Sequence, residues 1–187
     1  ELDNAINARA DYYEKREQDP GFGGFHRIEY GLYEQHSVEG LAPVAQRLQT
    51  DVTQLKQQLM AQSLAPEQLA AIATRTLRSL ADVRSNGEEE RYSHSDLNGF
   101  AANLDGTRKI VDLLRPLLAR SAGDLLQKID AAMADLDTTL DALSSADGGV
   151  RPYDQVDEAQ RQQIAAKAGA LADALNGIDP ALGLSGL

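Results

Sequence analysis

His26 and Glu29 stand three residues apart, and this pair is the first place in the sequence where metal chemistry is indicated. On an α-helix, residues i and i+3 project from the same face, so an imidazole nitrogen and a carboxylate oxygen would meet at one cation. The same spacing describes an ordinary ion pair on a helix surface, and the motif by itself leaves both interpretations open. Two features favour the metal: Gly23 and Gly24 allow another backbone to approach just before the pair, and acidic residues such as Asp11 lie upstream.

A second group of candidate ligands lies in residues 87–97, which read Gly-Glu-Glu-Glu-Arg-Tyr-Ser-His-Ser-Asp-Leu. Within this segment, Glu89, His94 and Asp96 supply two carboxylates and an imidazole. Acidic residues at the start of a helix also stabilise the helix dipole, so an ordinary helix start is the alternative. We predict that these three residues form a second cation site or support the first.

Several other kinds of site are excluded by what the sequence lacks. It has no cysteine, which excludes disulfides, thiolate metal sites and cysteine nucleophiles. The residue after Glu29 is Tyr30, so neither His-Glu-x-x-His nor His-x-x-Glu-His, the zinc-peptidase patterns, is present. No Gly-x-Ser-x-Gly, phosphate-binding loop or dinucleotide fingerprint occurs, and we assign no catalytic residue.

Net charge limits the partners. Lys and Arg total 18 against 29 Asp and Glu, so the formal charge at pH 7 is -11. An acidic protein repels polyanions, which excludes nucleic acid, whereas surplus carboxylates suit cations. No apolar run is long enough to cross a bilayer, and the first residues lack the basic start and apolar centre of a signal peptide. We therefore expect no direct membrane insertion and no signal peptide in this chain.

The elements that must position these residues are helices. Apolar residues recur at intervals of three and four, the period of an amphipathic helix, and aromatic residues are only 5% of the chain. The pattern predicts helices over residues 25–33, 41–60, 66–83, 95–118, 122–143 and 156–175. Ser93 or Ser95 is the predicted N-cap of the fourth helix, and Gly99, Gly106 and Pro116 predict breaks or kinks within it.

The predicted fold class is all-α, an antiparallel helical bundle, because the connections are short and no pair of strands is indicated. No repeat or interior linker appears, so we predict a single domain over residues 1–187. Within it, residues 1–24 form an N-terminal segment and loop, residues 25–179 the bundle, and residues 180–187 a tail.

Two stretches of the sequence match a known family. Residues 24–29, Gly-Phe-His-Arg-Ile-Glu, resemble the Gly-x-His-x-x-Glu signature of the imelysin-like family. Residues 87–97, followed by Ala-Asn-Leu-Asp-Gly at 102–106, resemble its EfeO/EfeM branch, and this second match is longer and more specific. The similarity extends from Leu2 to about Ala170.

The resemblance implies a helical bundle in the bacterial periplasm that binds iron, as Fe2+ or Fe3+, for uptake together with an Efe-type membrane permease and a haem peroxidase. The chain is closest to the EfeM type, or to the C-terminal domain of the EfeO type, because no β-rich cupredoxin domain is present. It implies His26 and Glu29 as metal ligands joined by an acid, which we place at Asp11, with Asp3 as the alternative. Zinc and copper are the alternative metals.

The sequence departs from the family pattern in one respect: the first helix of the family domain, with acidic residues that complete the site, is expected to be missing here. Two other functions stay open at this point. One is a metallopeptidase in which Glu29 polarises a metal-bound water. The other is binding of an acidic polysaccharide such as alginate, for which a chain of this charge would need bridging cations.

Overall fold

The structure, a computed structural model, describes residues 2–82, 87, 89–143 and 151–184. These residues contain eight α-helices and no strand, which confirms the predicted all-α fold class. The helices are α1 Leu2–Ile6, α2 Gly24–Tyr33, α3 Leu41–Met60, α4 Pro66–Asp82, α5 Asp96–Ser121, α6 Gly123–Asp141, α7 Glu158–Leu175 and α8 Ile178–Leu182. None of these helices combines the length and apolarity that a membrane-spanning segment requires.

The chain divides into two compact units. The N-terminal unit comprises the residues up to Ser63 together with the short segment Glu90–Ser93, which is distant in sequence. The C-terminal unit comprises Leu64–Glu89 and the chain from His94 onward. The predicted candidate ligands are thereby divided, because His26, Glu29 and Asp11 belong to the first unit and Glu89, His94 and Asp96 to the second.

The C-terminal unit is a helical bundle. Helix α4 packs on α5 and α7, and α6 packs on the same two helices, so the four form a ring around one apolar core. Only Ala122 separates α5 from α6, and two helices in contact across so short a connection run antiparallel. Helix α7 begins with a capping box in which Asp157 and Gln160 satisfy each other's backbone N–H groups.

Helix α5 differs from the sequence prediction because it is continuous. It runs through Gly99, Gly106 and Pro116 without the predicted break. Buried apolar side chains lie along its whole length, from Leu97 to Leu118, and this packing offsets the loss of helix propensity at the three positions. Ser95 is the N-cap residue, but its side chain makes no capping hydrogen bond.

Residues 178–182 also differ from the prediction, because they are helical. Ile178 is fully buried in the core of the C-terminal unit, and residues 178–182 form α8 against α4 and α5. The predicted boundary at residue 180 therefore falls inside a helix. Gly148 and Gly149, which follow the helix predicted over residues 122–143, lie outside the described residues, as do residues 185–187 of the predicted tail.

The N-terminal unit packs α1 and α2 against α3. Leu41 and Leu48 are buried, whereas Val52 and Leu59 on the same apolar face are 39% and 55% exposed. The sequence pattern predicts this whole face as core, and the difference is one of length. Helix α3 has 20 residues, about 30 Å, whereas α2 has 10 and α1 has 5, so neither partner is long enough to cover the whole face.

Gly24 lies where α2 approaches the preceding chain. Its φ is +66°, in the left-handed region, and a Cβ added to it would lie 2.7 Å from the carbonyl oxygen of Ala5 and closer still to that of Ile6. A Cβ added to the neighbouring Gly23 would lie 3.8 Å from the carbonyl oxygen of Gly21, an ordinary contact distance. The close backbone approach that the glycine pair predicts is thus present, and it requires glycine at residue 24 only.

We expect Gly24→Ala to destabilise the N-terminal unit by about 1–3 kcal/mol, because alanine is strained at positive φ and would collide with two carbonyl oxygens. Gly23→Ala, at the N-cap of α2, is the matched control and should cost less, about 0.5–1 kcal/mol, because alanine is a poorer N-cap than glycine. Urea unfolding followed by circular dichroism measures both. Equal effects of the two substitutions would contradict the assignment of the close contact to Gly24.

Candidate metal centre

His26 and Glu29 lie on one face of α2, and both are buried, at 4% and 8% exposure. The His26 Nδ1 atom is 2.8 Å from Glu29 Oε2. Because the two side chains are one helical turn apart, the helix itself sets this distance. The sequence spacing therefore brings the imidazole and the carboxylate together inside the protein rather than on its surface.

The second oxygen of Glu29 is bound by a distant part of the chain. Glu29 Oε1 accepts hydrogen bonds from the backbone N–H of Tyr92, at 3.0 Å, and from the backbone N–H and hydroxyl of Ser93, at 2.8 and 2.9 Å. Three donors converge on one oxygen, which is the arrangement that stabilises a negative charge out of water. Glu29 is therefore a pre-oriented carboxylate with Oε2 directed at His26.

These hydrogen bonds also determine the charge of Glu29. Burial alone would raise the pKa of the Glu29 carboxyl, but hydrogen bonds from His26, Ser93 and Tyr92 outweigh it and hold the pKa below its ordinary value. The carboxyl is consequently ionised at neutral pH. An ionised, desolvated carboxylate is a strong ligand for a cation.

The other ring nitrogen of His26 has its own partner. His26 Nε2 is 2.8 Å from the side-chain oxygen of Asn7, which follows α1. Each nitrogen of the imidazole therefore faces an oxygen at hydrogen-bond distance, and the ring is held on both edges. Asn7 is a residue that the sequence analysis did not identify, because an isolated asparagine 19 positions from a histidine carries no recognisable spacing.

Glu90 completes a group of three candidate ligands. One ligand atom each from His26, Glu29 and Glu90 lie within 4.8 Å of one another, and among the described residues this is the only such group of three or more. Metal–ligand bonds to nitrogen and oxygen are about 2 Å long, so atoms this close fit around a single ion. His26 and Glu29 are buried and Glu90 is partly exposed, which leaves a route for the ion.

The segment 90–93 is held in place by its other side chains. Arg91 donates two hydrogen bonds to the carboxylate of Asp11, at 2.8 and 3.2 Å. The Tyr92 hydroxyl donates to Glu17 at 2.9 Å, and the Tyr92 ring packs edge-on against Tyr30 with centroids 5.2 Å apart. These contacts explain how a segment so distant in sequence comes to cap Glu29.

Asp11, the predicted third ligand, is placed in this support. The hydrogen bonds from Arg91 lower the pKa of the Asp11 carboxyl, and a guanidinium nitrogen of Arg16 lies 3.7 Å from Asp11 Oδ1. In this structure both of its oxygens are directed at Arg91. A role for Asp11 as a ligand stays a prediction.

The predicted second group lies in the C-terminal unit and is not a three-ligand cluster by the same distance criterion, among the described residues. Asp96 is the first residue of α5 and is 1% exposed. His94 has a φ of +55°, and its carbonyl oxygen accepts a hydrogen bond from the backbone N–H of Tyr153 at 2.8 Å. Glu89, His94 and Asp96 as a cation site stay a prediction.

The sequence of the chain is similar to those of known proteins. The family model described as Imelysin matches residues 1–178. The chain belongs to the imelysin family. It is 38% identical over 184 residues to "Iron uptake system component EfeO" of Escherichia coli strain K12, and equally so to the proteins of the same name from Shigella flexneri and Escherichia coli O157:H7. The matches cover 98% of this chain and 49% of each relative, so this imelysin spans about half the length of the curated relatives it matches.

The acid stability of this imelysin should depend on Glu29. The pKa of Glu29 is lower in the folded state, so its stabilising contribution is fully present above about pH 4.5, the ordinary value, and is lost as the pH falls through the lowered folded pKa. We expect Glu29→Gln to lower the free energy of unfolding by about 1–3 kcal/mol at pH 7 and by much less at pH 3.

Urea unfolding at the two pH values measures this difference. Glu34→Gln, at the exposed C-terminal end of α2, is the matched control and should have only a small effect. A Glu29→Gln effect of the same size at pH 7 and pH 3 would show that the buried carboxylate does not stabilise the fold through its charge.

Proposed function

We propose that this chain is an iron-binding component of a bacterial iron uptake system and that it binds one iron ion through His26, Glu29 and Glu90. The observation that carries the proposal is the convergence of these three side chains in the N-terminal unit. Buried histidine and carboxylate side chains that share one small space are characteristic of metal centres rather than of apolar cores. The site is formed by α2 and the segment 90–93, both in one compact unit.

The donor chemistry supports a first-row transition metal. One imidazole nitrogen and two carboxylate groups form a mixed nitrogen and oxygen set, which suits iron, zinc and manganese. Because Glu29 Oε1 already accepts three hydrogen bonds, Glu29 has only Oε2 for an ion. Calcium requires six to eight oxygen ligands and often a bidentate carboxylate, so this set disfavours it.

The relatives support the choice of iron. The relatives at 38% identity are named as components of an iron uptake system. The proposal extends that role to this chain, with the periplasm as its location and an Efe-type permease and a haem peroxidase as its partners. In this role iron is the cargo, so the site must bind it reversibly and no bond of a substrate is broken.

The chain's own residues have separable tasks in binding. Tyr92 and Ser93 hold Glu29 ionised and oriented, so that its Oε2 is presented without rearrangement. The imidazole of His26 supplies a neutral nitrogen ligand, and an ion bound there takes the position of a ring hydrogen. Glu90, the most exposed of the three, is the ligand best placed to contact an arriving ion first.

The test compares matched pairs of variants by equilibrium dialysis with ferrous iron under anaerobic conditions. We expect one ion per chain and a loss of affinity of at least about 100-fold in Glu90→Gln, more than the removal of an outer partner usually causes. Glu89→Gln, one residue away, should retain the affinity. His26→Asn should abolish binding while His36→Asn, at an exposed position with positive φ that asparagine tolerates, should not.

Binding that persists in His26→Asn and Glu90→Gln would contradict the proposed site. Asp11→Asn distinguishes the two possible roles of Asp11. If Asp11 is a ligand, the substitution should weaken iron binding as strongly as Glu90→Gln does. If Asp11 only supports Arg91, the loss of affinity should be smaller. A second ion per chain that disappears in His94→Asn would support the site predicted at Glu89, His94 and Asp96.

A further inference from the structure

We infer that Asn7 determines which nitrogen of His26 binds the ion: Nδ1 is the metal ligand, and Nε2 carries the hydrogen and donates it to the Asn7 side-chain oxygen. The inference rests on the proposed function and adds to it a positioning residue and a defined ligand atom. Asn7 lies 19 residues from His26, and neither its type nor its spacing suggests metal chemistry.

The positions of the oxygens around the ring carry the argument. Nδ1 lies 2.8 Å from Glu29 Oε2, the oxygen that is not used by Tyr92 and Ser93. Nε2 lies 2.8 Å from Asn7 Oδ1. The two nitrogens of an imidazole are on different edges of the ring, so an ion shared with Glu29 is reached through Nδ1 alone.

The amide of Asn7 suits this role. A histidine that binds a metal through Nδ1 has one N–H left, at Nε2, and this N–H needs an acceptor. The side-chain oxygen of an asparagine is such an acceptor, whereas its side-chain nitrogen is a donor. Metal-bound histidines generally donate their second N–H to an oxygen acceptor, which fixes the tautomer and the ring orientation. The oxygen of Asn7 already occupies that acceptor position at 2.8 Å.

Asn7 is itself held by the backbone around it. Its N–H donates to the carbonyl oxygen of Asp3 at 2.8 Å, so it continues the hydrogen bonding of α1. The preceding residue, Ile6, is buried, and its carbonyl oxygen lies against Gly24 at the start of α2. The close approach at Gly24 therefore sets the distance between Asn7 and His26.

The first experiment measures zinc affinity by calorimetry in the full chain. Asn7→Leu removes the acceptor and should weaken binding by about 10- to 100-fold, the range found for outer partners of metal-bound histidines. Asn7→Asp keeps an acceptor and should retain or increase the affinity. Asn4→Leu and Asn4→Asp, at an exposed position on α1, are the matched controls for local helix change and for added negative charge.

Rescue by aspartate but not by leucine distinguishes a hydrogen-bond acceptor from a residue that merely fills space. Affinity unchanged in Asn7→Leu would overturn the inference. An increase in Asn4→Asp equal to that in Asn7→Asp would also overturn it, because a general effect of charge would then explain the aspartate.

The second experiment needs no variant at residue 7. In the zinc-loaded protein labelled with nitrogen-15, NMR reads each ring nitrogen of the three histidines, and His26→Asn identifies the His26 signals. We expect zinc on Nδ1 and a proton on Nε2. Zinc on Nε2 would overturn the inference and leave the proposed function intact, whereas a wild-type chain in which His26 binds no zinc would overturn both.

Discussion

The carboxylate of Glu29 is 8% exposed, and a negative charge removed from water is stable only where hydrogen-bond donors replace the water. The Nδ1 atom of His26, a helical turn away, lies 2.8 Å from Oε2, and three donors to Oε1 come from residues 92 and 93, more than sixty positions along the chain. The local arrangement of the N-terminal unit depends on this compensation. The segment 90–93 belongs to that unit because its backbone N–H groups are the donors that Glu29 requires.

The hydrogen bonds that stabilise the Glu29 carboxylate also determine which of its oxygen atoms is available to a cation. The hydrogen bonds from Tyr92 and Ser93 fall on Oε1, so Oε2 is the oxygen that faces His26. Ligand atoms that are already held in place by hydrogen bonds need not be ordered when an ion binds, which favours affinity. Their fixed positions also favour ions whose coordination geometry fits them. The contact of Asp11 with Arg91 anchors the segment that carries Glu90.

Much of the fold could be predicted because helix formation depends on neighbours in sequence. The apolar period gave α3 and α4 their starts at Leu41 and Pro66, and the all-α class followed. The sequence predictions were wrong where contacts between residues distant in sequence determine whether a helix continues or a side chain is buried. Pro116 remains inside α5 because buried residues line the whole helix, and Val52 is exposed because no long helix of the N-terminal unit covers that half of α3.

For the site, the sequence by itself determined the pair His26 and Glu29, since a spacing of three residues on a helix sets their distance without help from the rest of the chain. Only the tertiary structure brought Glu90, one of three adjacent glutamates in the sequence, close to this pair, and only it brought Asn7 to the far edge of the imidazole. The reason is physical: local spacing governs which side chains share a helix face, whereas buried charges and ring nitrogens are satisfied by whichever groups the fold brings within 3 Å, however far apart they lie in sequence.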